Sequence, residues 1–345
     1  MARIIIHWPA PYTAPVNEEL RQWVESTCAD LGSAVAQRPR ALTAEASHRQ
    51  FYRVPLVNGT TLIAMDSPPA LERNDQFVAL ARMFGAAGLP VPVIRAAASD
   101  AGWFLLTDVG AADLKDRYEQ GQAAVAVETA LRWLARWQRV RHPLIEPYSG
   151  ARLHMELKIF SDYVAQQVLA DPLPVALERD LFGWLIEQAQ QQATVCVHRD
   201  YHCRNLLLDE AGRFGIVDFQ DALQGPLCYD LASLLYDCYH RFDDDFIGYA
   251  RAFFRALVAP QINASRFARM TETLAIQRQL KALGIFARLQ LRDGKASHLR
   301  HIEPTLTSLL GLTERYPQTR ALHRWLDDRA GPISAWARQA DSVTS

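Results

Sequence analysis

The 345-residue chain is 49% hydrophobic and 22% charged, with a formal net charge of -1 at pH 7, a length that suits two lobes or domains. So balanced a charge, with no dense block of lysine and arginine, argues against nucleic acid or an anionic membrane as partner. No run of about 18 apolar residues occurs, and Pro9, Pro11 and Pro15 interrupt the apolar opening MARIIIHWPAPY, which no small-residue cleavage pattern follows. The five cysteines include no C-x-x-C pair, so a cytoplasmic protein with buried, reduced thiols is expected.

The first part reads as strand-rich. Between Gln50 and Met65, two β-rich runs flank Asn58-Gly59, the commonest hairpin turn signal. A helix through Phe77, Leu80, Ala81 and Phe84 then ends at Gly85 and Gly88, with Pro90 and Pro92 stopping it. WFLLTDVG, residues 103–110, reads as a buried strand leading into a connector, after which the chain turns largely helical. Composition therefore divides the chain into a β-rich N-terminal lobe, 1–107, and a helical C-terminal lobe, 108–345, an α+β arrangement. In the second lobe, Leu131, Leu134 and Trp137 or Val140 share one helical face and are expected in the core. Further helices are expected over 155–170, 175–192, 229–240, 244–257 and 266–292.

A β-hairpin interrupts these helices: VCVHRDYHCRNLLLDEAGRFGIVDFQD, with apolar strands around the turn Asp209 to Gly212. Chemistry sits at both ends of it. His198-Arg199-Asp200 followed by Asn205 has the H-R-D-x-x-x-x-N spacing of a kinase catalytic loop, and Asp218-Phe219 matches the D-F of the metal-binding element. Phosphoryl transfer needs a carboxylate near the attacking hydroxyl and hard oxygen ligands for magnesium, and one hairpin supplies an Asp, an Asn and a second Asp. His198, His202 and Cys203 also have zinc-ligand chemistry, but no second cluster closes such a site. Only 12 positions separate Asp218 from Asp230 and no A-P-E follows. That leaves no room for a peptide-docking segment and favours a small acceptor. Asp230 opens the next helix, where capping alone accounts for it.

The segments HRDYHCRN, VDFQDALQGPLCYDLASLLYDCY and QRQLKALGIFARLQLRDGK resemble the aminoglycoside phosphotransferase superfamily, and within it the bacterial anomeric amino-sugar kinases. AEASHRQFYRV, IAMDSPP and FLLTDVG extend the likeness from about residue 42 to about residue 300. The resemblance implies a bilobal, protein-kinase-like fold that binds ATP and magnesium between the lobes. It also implies phosphorylation of N-acetylmuramate or N-acetylglucosamine at the anomeric hydroxyl, in peptidoglycan recycling. By family pattern Asp200 is the base, Asn205 and Asp218 are the magnesium ligands, and His198, Asp221 and Asp230 support the site. Ser47, His48 and Arg49 lie in the turn over the ATP phosphates, and Asp108 in the stretch that meets adenine. No protein partner is legible.

Met65 stands where most kinase-like proteins place the strand-three lysine, and Arg49 is the candidate to replace its charge, a solvated hairpin arginine being the alternative. On the acceptor side, Gln277, Lys281, Gly284 and Arg288 share one helix face, opposite Leu280, Leu283 and Ala287. An exposed charged face explains that pattern too. The resemblance makes Arg278, Lys281 and Arg288 candidates for an acidic sugar, with Glu156 and Asp162 weaker ones for sugar hydroxyls. A kinase for another small alcohol, an aminoglycoside or a choline-like acceptor, and a nucleotide-binding regulator without turnover, are the alternative readings.

Overall fold

The structure, a computed structural model, describes residues 16–42, 48–208 and 211–344. Its first elements are helix α1 (Glu18–Asp30), strands β1 (Arg40–Leu42), β2 (Gln50–Pro55) and β3 (Thr61–Asp66), helix α2 (Asn74–Ala86), and strands β4 (Ile94–Ala98) and β5 (Trp103–Thr107). The five strands form an antiparallel sheet in the order β1-β2-β3-β5-β4. The β2–β3 turn forms as its residues demand: Gly59 has φ +80°, and the Asn58 side chain accepts the Thr60 N–H at 3.0 Å.

Helix α1 carries its own sequence signals. Asn17 caps it, accepting the Glu19 N–H, and Leu20, Val24 and Cys28 at four-residue spacing are buried against Tyr52, Val54, Ala64 and Leu105 of the sheet. Full burial of each Leu or Val side chain contributes roughly 1.5–3 kcal/mol. On α2, Phe77, Leu80, Ala81 and Phe84 are buried, as their spacing predicts. Gly88, at φ +72°, ends the helix while the Leu89 N–H reaches back to the Phe84 carbonyl.

The next elements are strand β6 (Ala112–Asp113) and helices α3 (Leu114–Glu119), α4 (Ala123–Trp137) and α5 (Gly150–Ile159), which runs into a π-helix (Phe160–Val168). Helix α6 (Val175–Gln190) and strands β7 (Thr194–Val197), β8 (Leu206–Leu208), β9 (Phe214–Ile216) and β10 (Leu223–Pro226) follow. Then come α7 (Tyr229–Leu235), α8 (Asp244–Val258), α9 (Ala264–Asp293), α10 (Ile302–Glu314), α11 (Arg320–Asp327) and α12 (Ala330–Thr344). Among the described residues no helix is long and apolar enough to cross a membrane.

The chain forms two compact units. The first comprises the described residues up to Ala111 together with those from Leu208 to Gln220, and the second has 112–207 and the described residues from Asp221 onward. The boundary read from composition, at 107/108, falls close to Ala111, but composition carries no sign that 208–220 returns to the first unit. The second unit is built on α9, which packs against α5, the π-helix, α6, α7, α8 and α10. On α4, Leu131, Leu134 and Trp137 are fully buried. Helix α7 stops at Leu235 rather than near residue 240, because Asp237 turns its carboxylate to the backbone N–H groups of Cys203 at 3.0 Å and Tyr239 at 2.7 Å. Side chains that satisfy nearby backbone donors in this way compete with helix propagation.

Helices α5 and α9 approach closely at Gly284. A Cβ there would lie 2.6 Å from the Ile159 carbonyl carbon and 2.6 Å from the Phe160 nitrogen, at the junction of α5 and the π-helix. Only glycine permits that approach, and the same face carries Gln277 and Lys281 toward α5. Gly284→Ala is therefore expected to lose about 1–3 kcal/mol of stability through overpacking, measured by urea unfolding; an unchanged midpoint would mean that the helices separate freely.

Candidate active site

The loop between β7 and β8 is held by its backbone. Asp230, the second residue of α7 and without solvent exposure, accepts the His198 N–H at 2.7 Å on Oδ2 and the Arg199 N–H at 2.9 Å on Oδ1. Arg199 has φ +82°, a left-handed conformation that a side-chain-bearing residue keeps only where its surroundings enforce it. Its carbonyl is also engaged, accepting from Arg278, whose guanidinium lies 4.7 Å from the Tyr229 ring centroid. Burial pushes the Asp230 carboxyl up, to about 7, against the two backbone donations and the Arg278 charge.

The remaining loop residues are fixed one by one. The buried His198 ring packs against Trp137 and Tyr201 at centroid distances of 5.2 and 5.8 Å, and the Tyr201 hydroxyl donates to the Ala130 carbonyl at 2.7 Å. The Asn205 amide nitrogen donates to the Asp200 carbonyl at 2.9 Å, which orients its carboxamide. His198 and Cys203 are thus core residues. Among the described residues no three His, Cys, Asp or Glu side chains gather to hold a metal, so the zinc pattern has no site.

Asp200 sits in a nest of cations. Its side chain is 36% exposed and Arg278 Nη2 lies 3.8 Å from its Oδ1. Burial opposes its ionisation, but Lys281, Arg278, His202 and Arg199 outweigh that and hold the carboxyl well below the usual range. It is a carboxylate throughout the neutral pH range. Behind it lies Glu156, 6% exposed, which accepts from Arg199 at 2.6 Å, from the Tyr148 hydroxyl and from Gln277 at 3.4 Å, with Lys281 Nζ at 3.2 Å. The Gln277–Lys281 face of α9 is consequently packed and paired, not solvated. Arg288, one turn beyond Gly284, makes no hydrogen bond or ion pair with this network among the described residues. Asp221 is mostly exposed, with its carboxylate 3.9 Å from Arg199 Nη1. Asp162 pairs with Lys158 on the surface.

In the first unit, Asp218 also has left-handed backbone, φ +63°, and accepts from the Gln220 side chain at 2.6 Å. The buried Phe219 anchors it, stacked on Phe77 with ring centroids 5.7 Å apart and edge-on to Phe84 at 5.7 Å. Asp218 and Asn205 both offer hard oxygen donors, chemistry suited to magnesium that phosphate oxygens also coordinate. Arg49 is 4% exposed: its Nε donates to Ser67 Oγ at 3.1 Å, Nη2 lies 3.3 Å from Glu72, and its guanidinium carbon is 5.2 Å from the Phe77 centroid. It is not a solvated hairpin residue. Asn74 completes this set through Ser67, and Met65 is wholly buried in the sheet. His48 is exposed and Ser47 lies outside the described residues. The Asp108 carboxylate accepts from Arg53 at 2.6 Å, Thr61 at 2.8 Å and the Gly110 N–H at 3.1 Å, so its side chain ties the connector to the sheet.

A family model described as the phosphotransferase enzyme family matches residues 39–262. The chain belongs to that family. It is a phosphotransferase, similar to a protein of Pseudomonas aeruginosa named N-acetylmuramate/N-acetylglucosamine kinase, with 32% identity over 88% of this chain and 94% of the relative. A Neisseria meningitidis protein of the same name is 29% identical over 84% of this chain and 89% of its own length. Among solved structures, a choline/ethanolamine kinase family protein from Mesorhizobium loti aligns with TM-score 0.61 at 14% identity, over 92% of this chain and 99% of the other. An ADP-bound aminoglycoside phosphotransferase aligns with TM-score 0.59 at 10% identity, over 86% and 99%. The phosphotransferase fold is thus an α+β fold of a small antiparallel-sheet unit and a larger helical one, as the resemblance implied.

Glu72, Tyr148, Tyr229, Asp237 and the full role of Glu156 escaped sequence reasoning. Of these only Glu156 is a candidate in the sequence, as a weaker one for sugar hydroxyls; its pairing with Arg199 and Lys281 appears only in the fold. Since Asp230 serves two buried backbone donors, Asp230→Asn turns one acceptor into a donor facing an N–H. A loss of about 1–3 kcal/mol is expected for a buried group left unpaired, read by thermal or urea unfolding; wild-type stability would remove the clamp from the account.

Proposed function

We propose that this phosphotransferase moves the γ-phosphoryl group of ATP to the anomeric hydroxyl of N-acetylated amino sugars, N-acetylmuramate and N-acetylglucosamine, in cytoplasmic peptidoglycan recycling. The observation that carries the reading is the setting of Asp200, a partly exposed carboxylate kept ionised among Lys281, Arg278 and Arg199. The names of the relatives support the sugar class. A cluster of three cations beside the base also disfavours a quaternary ammonium or polycationic acceptor, since like charges repel strongly where water is scarce. Choline-like and aminoglycoside acceptors are therefore the weaker reading.

In this mechanism the Asp200 carboxylate accepts the hydroxyl proton while the anomeric oxygen bonds to the γ-phosphorus. The bond from that phosphorus to the β–γ bridging oxygen breaks, ADP departs and the sugar 1-phosphate remains. Asn205 and Asp218 are the residues that would hold magnesium, which when bound supplies positive charge to the phosphate oxygens. Arg49, fixed by Glu72 and Ser67, supplies in the first unit the cation that Met65 does not. Arg278, through the Arg199 carbonyl and its contact with Asp200, keeps the base in place.

Asp200→Asn is expected to keep ATP affinity while turnover falls at least about a hundredfold, the lower range for a lost general base. Coupled ADP release measures the turnover, and phosphorus NMR identifies the product as a sugar 1-phosphate. Unchanged turnover in the variant, or phosphate on another hydroxyl, would overturn the assignment concerned.

A further inference from the structure

The three cations around Asp200 differ in what they have left to offer. Arg278 is committed to the Arg199 carbonyl, to Asp200 and to the face of Tyr229. Arg199 gives Nη2 to Glu156, turns Nη1 toward Asp221 and lies over Tyr148 with its guanidinium carbon 5.5 Å from the ring centroid. Among the described residues Lys281 has a single partner, Glu156 at 3.2 Å, for an ammonium with three N–H donors. Its side chain is 12% exposed, and among the charges acting on Asp200 it has the largest effect. Its charge thus acts on Asp200 while its ammonium keeps donors that no described residue takes.

Glu156 governs that ammonium and the charge around it. Among the described residues it is the one buried carboxylate whose side chain pairs with two of the three cations, Arg199 and Lys281, and the Tyr148 hydroxyl and Gln277 hold its other oxygen. It lies about one turn from the close approach of α5 and α9 at Gly284. Without Glu156, Arg199 and Lys281 would be buried beside Arg278 with Asp200, Asp230 and the largely exposed Asp221 left as counter-charges, and Lys281 would have no ion-pair partner within 4 Å among the described residues. Such a site would hold an anion and oppose a neutral acceptor, whose hydroxyls would have to satisfy excess buried charge.

We propose that Glu156 is the positioning residue that sets which acceptor charge the site takes. It holds Lys281 so that the ammonium meets an acceptor carboxylate, and it offsets enough positive charge for a neutral acceptor to bind in the same place. The inference rests on the amino-sugar reading and gives it a physical basis: one pocket serves N-acetylmuramate, which carries a lactyl carboxylate, and N-acetylglucosamine, which carries none.

The test compares kcat/KM for N-acetylmuramate, its methyl ester and N-acetylglucosamine in the wild type, Lys281→Met and Glu156→Gln. In the wild type, esterification is expected to lower kcat/KM about tenfold or more, the scale of a lost charge-assisted hydrogen bond. In Lys281→Met the acid and the ester should differ by less than about twofold, with N-acetylglucosamine still turned over. In Glu156→Gln the ratio of N-acetylmuramate to N-acetylglucosamine should rise about fivefold or more, as uncompensated positive charge favours the anion. Should Glu156→Gln not fold, the double variant with Lys281→Gln leaves a neutral pair; in it kcat/KM for the acid and for the ester should differ by less than about twofold. A merely structural Glu156 would lower all three acceptors alike. An ester penalty that survives in Lys281→Met or in the double variant, or an unchanged ratio in Glu156→Gln, would overturn this inference alone. A wild type that phosphorylates neither sugar would overturn the amino-sugar reading beneath it.

Discussion

A single carboxylate without access to water, Asp230, holds the loop that carries Asp200. Its two oxygens take the N–H groups of His198 and Arg199, while Arg278 takes the Arg199 carbonyl. Both polar groups of one peptide-flanking residue are thus tied at the point where its φ turns positive. Left-handed backbone at a non-glycine residue costs of order 1–3 kcal/mol and persists only where neighbours over-determine it. Here that conformation separates the two side chains on either side of it: Arg199 turns back to Glu156, and Asp200 faces forward, partly exposed.

The choice of cations follows the same logic. At 199 and 278 the planar guanidinium stacks on an aromatic ring, Tyr148 or Tyr229, and also gives directional hydrogen bonds, a combination an ammonium cannot provide. At 281 the compact ammonium of lysine lies 3.2 Å from Glu156 and acts on Asp200 through its charge. Positive charge is therefore distributed by function: two arginines brace the loop, and one lysine retains donors. Arg49 in the first unit follows the arginine pattern, with Ser67, Glu72 and the Phe77 ring around it.

Much of this was legible in the sequence where local chemistry decides it. Asn58-Gly59 specified its hairpin, the spacing of Phe77, Leu80, Ala81 and Phe84 specified the buried face of α2, and the step from Asp200 to Asn205 specified the loop. What stayed hidden depends on contacts between segments far apart in the chain. Nothing near Glu72 announces that it meets Arg49, and Glu156 reads as an ordinary helical glutamate until Arg199 and Lys281 come together around it. Polar periodicity on α9 suggested a solvated face because pattern cannot distinguish water from a buried carboxylate as the partner of Lys281. Helix α7 read too long for a related reason: the competing acceptor, Asp237, acts on Cys203, more than thirty positions earlier.

The return of residues 208–220 to the first unit has a consequence for how the chain is assembled. Phe77 and Phe84 are synthesised early, but Phe219, the ring that covers them, emerges only after the whole first stretch of the second unit, 112–207, has left the ribosome. Until then α2 presents uncovered aromatic surface, and the peptide around Pro90 lacks the N–H of Ile216 that its carbonyl accepts at 2.8 Å. The first unit cannot finish folding in the order in which it is made, and its completion waits on a long-range closure of the kind that slows folding. For the same reason neither unit exists as one uninterrupted stretch of sequence, so a cut at the composition boundary yields two incomplete pieces rather than two domains.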